Sequence, residues 1–189
     1  MKVPAELTNV MPKWGITTTL EMAHFLAQCA AETKGFTKYE EDLFYSRPER
    51  VLSVFKARIK NLAEAVQYTK SPQKLANKVY ANRYGNGPPS SGDGYKFRGS
   101  GFVHLTFRDN YLAASMALFG DDRLVKKPDL ARQLDIAADI AGWYWKSRNC
   151  DGPANRDDLQ GVTKAINGWL NGLDIRADWL KHFKKEMGL

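Results

Sequence analysis

The stretch "TTLEMAHFLAQCAAETKG" (18–35) limits the possible folds of this chain more than any other. Thr18 and Glu21 have the spacing of a capping box, and Gly35 ends the run, so a helix is expected from about Thr19 to Thr33. Leu20, Ala23, Ala27 and Ala30/Ala31 supply one apolar face, and Phe25, Cys29 and Glu32 fall on an adjoining one. A helix this apolar has to be surrounded by other elements. It nevertheless carries one acid, Glu32, in its last turn.

The rest of the chain supplies helices to surround it. Apolar residues recur every three or four positions in most segments, which predicts a mainly α protein. Helices are expected in "PERVLSVFKARI", where Ser46, Pro48 and Glu49 signal the start, around 61 to 69, and around 72 to 82. Others are expected after "FVHLTF", where Thr106 and Asp109 have capping spacing, and in "LDIAADIAGWYWKSRN", "DDLQGVTKAIN" and "DIRADWLKHFKKEM". Between them, "GNGPPSSGDGYKFRGSG" (85–101) is too rich in glycine and proline for regular structure and reads as a binding or lid loop. With no internal repeat and no low-complexity tract, the 189 residues fit a single domain, 1–189, with no separate module.

Composition narrows the partners. With 28 Lys and Arg against 21 Asp and Glu, the net charge is +7, which draws the chain to polyanions. No basic cluster interleaved with aromatics and no reader motif is visible, so nucleic acid is not expected, which leaves an anionic cell envelope. The three histidines, His24, His104 and His182, lie in no metal-binding spacing, so neither a metal nor another cofactor is expected. Cys29 and Cys150 are expected as unpaired buried thiols, with one disulfide as the alternative. No apolar run approaches the roughly 20 residues of a membrane span, and "MKVPAELTNV" lacks a signal-peptide core, so synthesis in a cytoplasm is expected.

The residues that could carry chemistry are acids beside apolar surfaces, where a carboxyl group can hold a proton near neutral pH. Glu32 fits best, although a helix-end glutamate paired with Lys34 or Lys38 would look the same in sequence. Glycoside hydrolysis needs a second carboxylate, and the run Glu40, Glu41, Asp42 offers one, with Glu41 facing opposite to its neighbours if the segment is extended. The plain alternative is a solvated acidic turn. Thr106 has a similar alternative, as a helix cap.

Three blocks, in order, resemble glycoside hydrolase family 19, the chitinase-like group that includes many phage endolysins. "HFLAQCAAETKGF" (24–36) resembles the pattern FxAQxxHExxGF. "YGNGPPSSGDGYKFRGSGFVHLTFRDNY" (84–111) resembles GNG…SGDGxxxRGRGxIQLTGRxNY of the endolysin branch. "TKAINGWLNGLDIRADWL" (163–180) is similar to ITxxINGGxNGxxxR. This chain departs from the patterns at Ala31, where relatives carry His, at His104, where they carry Gln, and at Ser100 in "RGSG".

The resemblance implies a lysozyme-like, two-lobed helical domain with a central cleft and little or no β structure. Glu32 falls on the family's general acid and Glu41 on the second glutamate, taken as base. Thr106 falls on the residue that holds the attacking water. Asn110, Asn167 and Arg176 match positions that contact substrate or support the carboxylates, with His104, Tyr95, Phe97 and Arg98 bordering the cleft. The implied substrate is bacterial peptidoglycan, cut by inversion at a β-1,4 bond between amino sugars. Chitin cleavage, a lytic transglycosylase and a non-enzymatic wall-binding protein stand as alternatives. A monomer is the default expectation, and the resemblance further implies release to the wall through a holin or similar pore. The basic C-terminal helix, with Lys181, Lys184 and Lys185, is a candidate for weak contact with membrane or lipopolysaccharide phosphates, or simply complements its own helix end.

Overall fold

The computed structural model describes residues 2–189. Among the described residues twelve α-helices run α1 (Ala5–Lys13), α2 (Thr19–Glu32), α3 (Pro48–Val54), α4 (Leu62–Val66), α5 (Pro72–Val79), α6 (Asp93–Lys96), α7 (Arg108–Phe119), α8 (Arg123–Lys126), α9 (Leu134–Ser147), α10 (Asp151–Asn155), α11 (Leu159–Asn167) and α12 (Leu173–Glu186). Short 3₁₀ turns occupy Pro89–Ser91 and Pro128–Arg132. Among the described residues the only β pairing is two isolated antiparallel bridges, Glu40 with Ser100 and Ser100 with Leu105.

The larger of two packed bodies is built around α2, which starts at the expected capping box. Glu21 donates its N–H to Thr18 Oγ1 at 3.1 Å, and its own carboxylate accepts from Thr18 N–H at 3.1 Å and Thr17 N–H at 3.0 Å. Nearly every side of the helix is covered: Ala23, His24, Phe25, Leu26, Ala27, Gln28, Cys29 and Ala30 are all buried. α12 lies along one side, α10 and α11 pack beside it, and Phe25 meets Trp145 of α9 edge-on at 5.6 Å. Both cysteines are free and buried, and burial pushes the Cys150 thiol up to about 12.

The smaller body gathers α3, α4 and α5 around Val51, Ile59, Ala65, Leu75 and Val79, with Tyr45, Phe55, Tyr68 and Tyr80 packed against them. α6 ties it to the rest, because Gly94 lets two backbones touch: a Cβ there would stand 2.3 Å from Ala76 O. The 85–101 stretch is therefore not an irregular lid. It contains a 3₁₀ turn and α6, and Phe97, just after α6, is fully buried.

Other boundaries differ for local reasons. α3, α4 and α5 stop several residues short of the expected ends, and α3 starts from Arg47 with no side-chain cap, so Ser46 does not cap it. Thr106 does not cap α7 either; its N-cap is Phe107, at φ 75°. α1, α8 and α10 had no clear signal in the sequence. Each is short, and the first starts from Pro4 as N-cap and carries Pro12 in its last turn.

Candidate active site

α2 ends at a particular place because Thr33 closes it. The Thr33 hydroxyl donates to Cys29 O at 2.6 Å and accepts from Phe36 N–H at 3.0 Å, while Gly35, at φ 69°, donates its N–H to Ala30 O at 2.8 Å. Glu32, the last helical residue, therefore sits at the edge of the core with its side chain 20% exposed.

The partner of Glu32 comes from α12. Arg176 is buried and spreads its guanidinium over three acceptors: Glu32 Oε1, Gln28 Oε1 at 2.5 Å and Asn171 O at 3.3 Å. Gln28 lies one turn before Glu32 and is itself buried, so α2 presents both acceptors on one face. Neither Lys34 nor Lys38 pairs with Glu32; Lys38 turns instead to Asp42. The other oxygen of Glu32, Oε2, lies 3.9 Å from His104 Nδ1.

The acidic run Glu40, Glu41, Asp42 divides by direction, as an extended segment does. Glu40 is ion-paired with Arg98, whose Nε donates at 2.6 Å, and with Arg132 at 3.2 Å. Asp42 accepts from Phe44 N–H at 3.1 Å, and that bond, together with Lys38, holds its carboxyl below the usual range. Glu41 is held by two uncharged donors. The Tyr80 hydroxyl donates to Oε1 at 2.5 Å and Gly99 N–H donates to Oε2 at 3.3 Å. Burial first, and then the adjacent Glu41 carboxylate, push the Tyr80 phenol well above its ordinary value, so Tyr80 remains a donor.

Between the two glutamates stands the turn 99–106, closed by the Ser100–Leu105 bridge. His104 takes φ 45° there, a conformation that bulky side chains seldom adopt. A Cβ on Gly99 would lie 3.2 Å from both Glu41 Cβ and His104 Cβ, so this glycine makes room for the approach. His104 thus reaches toward Glu32 with its ring and adjoins, through its Cβ, the residue that holds Glu41. Its Nε2 is buried with no hydrogen-bond partner. Thr106 donates its hydroxyl to His104 O at 2.7 Å, and Asn110 Nδ2 donates to Thr106 O at 2.7 Å.

The remaining expected residues separate into two groups. Asn167 joins the Arg176 side: its Nδ2 donates to Asn171 O at 3.1 Å and its Oδ1 accepts from Trp169 N–H at 2.8 Å. Phe97 does not border a cleft, because it is fully buried and packs edge-on against Tyr111 at 5.3 Å. Arg98 is likewise buried. It is committed to Glu40, to Tyr95 O at 2.7 Å and to the Tyr95 ring 3.9 Å away, so it braces the acidic segment instead of facing a ligand. Tyr95 keeps partial exposure. Two residues escaped the sequence reading. Helical spacing could have pointed to Gln28; nothing along the chain links Tyr80 to Glu41. Among the described residues, no group of three or more His, Cys, Asp or Glu is placed to hold a metal ion.

Two carboxylates, Glu32 and Glu41, thus stand on either side of a shared turn, each held by its own donors, within an all-helical two-body fold. No protein-family model matches the chain. It is 40% identical over 165 residues to a "Glycosyl hydrolase family 19 domain-containing protein" of Haemophilus influenzae, covering 87% of this chain and 79% of that protein. The fold matches chitinase C of Streptomyces griseus at a TM-score of 0.59 and 22% identity, covering 97% of this chain and 69% of that one. It also matches a bacterial family 19 chitinase at a TM-score of 0.59 and 22% identity, covering 98% of this chain and 86% of that one. The chain belongs to glycosyl hydrolase family 19 and is a glycoside hydrolase with that family's lysozyme-like helical fold.

Proposed function

We propose that the chain hydrolyses the β-1,4 bond between amino sugars of bacterial peptidoglycan, as an endolysin-type lytic enzyme, by inversion. The observation that carries this reading is the pair of carboxylates on the two sides of the 99–106 turn: Glu32, whose Oε2 is left free by Arg176, and Glu41, whose oxygens are held by Tyr80 and Gly99. The endolysin-like blocks at 84–111 and 163–180 and the net charge of +7, suited to an anionic wall, support peptidoglycan over chitin.

In this mechanism Glu32 acts as general acid through Oε2, the oxygen Arg176 leaves free, taking up a proton once bound glycan displaces its water and giving it to the leaving oxygen. Arg176, already on Oε1, stabilises the carboxylate that remains. Glu41 takes a proton from water through Oε2 while Tyr80 fixes Oε1. The hydroxyl proton of Thr106 is committed to His104 O, which leaves its oxygen to accept from that water and orient it. Asn110, its amide N–H₂ engaged by Thr106 O, presents a carbonyl to the sugar. Inversion requires roughly 6.5–9.5 Å between the carboxyls when substrate is bound.

The test compares Glu32→Gln, Glu41→Gln, Glu40→Gln and Asp42→Asn on peptidoglycan and on chitin oligomers, with product anomers read by NMR. Loss of the acid or the base is expected to cost about 10²–10⁴ in kcat, whereas Glu40→Gln and Asp42→Asn stay near wild type after correction for folded fraction. Wild-type clearance by Glu32→Gln refutes the assignment. Anhydro-sugar ends with an active Glu41→Gln identify a transglycosylase, and cleavage of chitin alone moves the substrate.

A further inference from the structure

Beyond the carboxylates, the turn that follows α11 carries a side chain with no structural task. Trp169 is 75% exposed, whereas Trp14, Trp143, Trp145 and Trp179 are half-buried or buried, so it is the one exposed tryptophan among the described residues. A tryptophan is ordinarily well covered, because its large apolar surface gains most from leaving water.

The turn that bears it is anchored on both sides. Gly168 (φ 79°) and Gly172 (φ 67°) let the backbone reverse, and Trp169 N–H donates to Asn167 Oδ1 at 2.8 Å. Asn171 O, two residues on, accepts from Asn167 Nδ2 and from Nε of Arg176, the same guanidinium that pairs with Glu32. On the α11 side, the Tyr144 hydroxyl donates to Ile166 O at 3.2 Å. The indole is thus mounted on a short braced turn one side chain removed from Glu32.

We propose that Trp169 is a sugar-stacking subsite: its indole face packs on the apolar C–H face of an N-acetylhexosamine ring and holds one end of the glycan beside Glu32. This rests on the glycan-hydrolase reading above. A rigid aromatic face fits a pyranose well, since it offers large contact area at little conformational cost. The substrate that benefits is a polymer long enough to span from the acid to the turn, so the contribution grows with chain length.

The isolated exposure of Trp169 makes it its own reporter. Peptide-free glycan strands from peptidoglycan and N-acetylglucosamine hexamer are titrated into the Glu32→Gln protein while tryptophan emission is followed. Steady-state hydrolysis is measured in parallel for wild type, Trp169→Ala and Trp169→Phe. A blue shift on saccharide binding is expected. Trp169→Ala should raise KM roughly tenfold, the loss from one well-placed aromatic contact, with kcat within about twofold, and Trp169→Phe should recover most of it. Thermal midpoints should be unchanged, because the exposed ring packs on little. An unchanged KM in Trp169→Ala with an active wild type overturns the subsite and leaves the hydrolase standing. A saccharide-induced shift without wild-type turnover supports the subsite and overturns the hydrolase. Absence of both overturns both. A shift produced by anionic phospholipid vesicles and not by saccharide overturns the subsite in favour of a membrane contact.

Discussion

Replacing Arg176 with methionine should separate the energetic role of the α2–α12 seam from everything else in the molecule. The methionine fills much of the same volume, so the change is mainly in charge and hydrogen bonding. The Glu32 carboxylate and the Gln28 carbonyl lose this donor, while Asn171 O keeps Asn167 Nδ2. Gln28 is 1% exposed and its Nε2 already lacks a partner, so its carbonyl cannot turn to water. A buried acceptor left unsatisfied costs about 1–3 kcal/mol, and breaking a fully buried ion pair from one side costs about 3–5 kcal/mol. Glu32, with its side chain 20% exposed, recovers part of its hydration, which places the total near the lower bound. The expected loss is about 3 kcal/mol, equivalent to a fall in Tm of roughly 6–12 °C for a domain of this size. Thermal unfolding followed by far-ultraviolet circular dichroism measures it. The double variant Arg176→Met with Glu32→Gln should regain a good part of the loss, since the uncompensated charge is gone. A single variant as stable as wild type would refute the claim that this guanidinium secures α12 against α2.

Two other perturbations test the packing and the titration of the core. A Cβ on Gly142 of α9 would stand 2.2 Å from Trp14 Cδ1, and Trp14 is tethered through Nε1 to Asp139 at 3.1 Å. Gly142→Ala should therefore lose about 1–3 kcal/mol to overpacking, outweighing the roughly 1 kcal/mol gained in helix propensity; a stabilised variant would show that Trp14 does not lie on α9. Burial holds buried His24 below its ordinary value of 6.5 despite its bond to Asp157. The unfolded chain then takes up this proton first, so the His24 contribution is present above about pH 6.5 and is lost as pH falls toward the folded value. Urea unfolding midpoints should decline across that window in wild type more steeply than in His24→Gln, by up to about 1.4 kcal/mol per pH unit. Equal slopes would contradict the burial of a neutral imidazole.

Local chemistry in the sequence was enough to define α2 from its capping box to Gly35, the long helices α9, α11 and α12, and the alternation that sends Glu40 and Glu41 in opposite directions. Each depends on residues within a few positions of one another, where capping, helical period and strand alternation act. The burial of Phe97, the commitment of Arg98 to Glu40 and the ordering of residues 85–101 were not legible. They arise where α6 meets Ala76 and where Arg132 approaches the acidic run, contacts between distant parts of the chain. The same holds for the environment of the two glutamates. Sequence alone placed Glu32 at the end of a buried helix, where an acid paired with a nearby lysine and an acid in a functional site look alike. Only tertiary packing brought Arg176 onto one of its oxygens, His104 toward the other and Tyr80 onto Glu41, because the charge environment of a side chain is set by what folds against it.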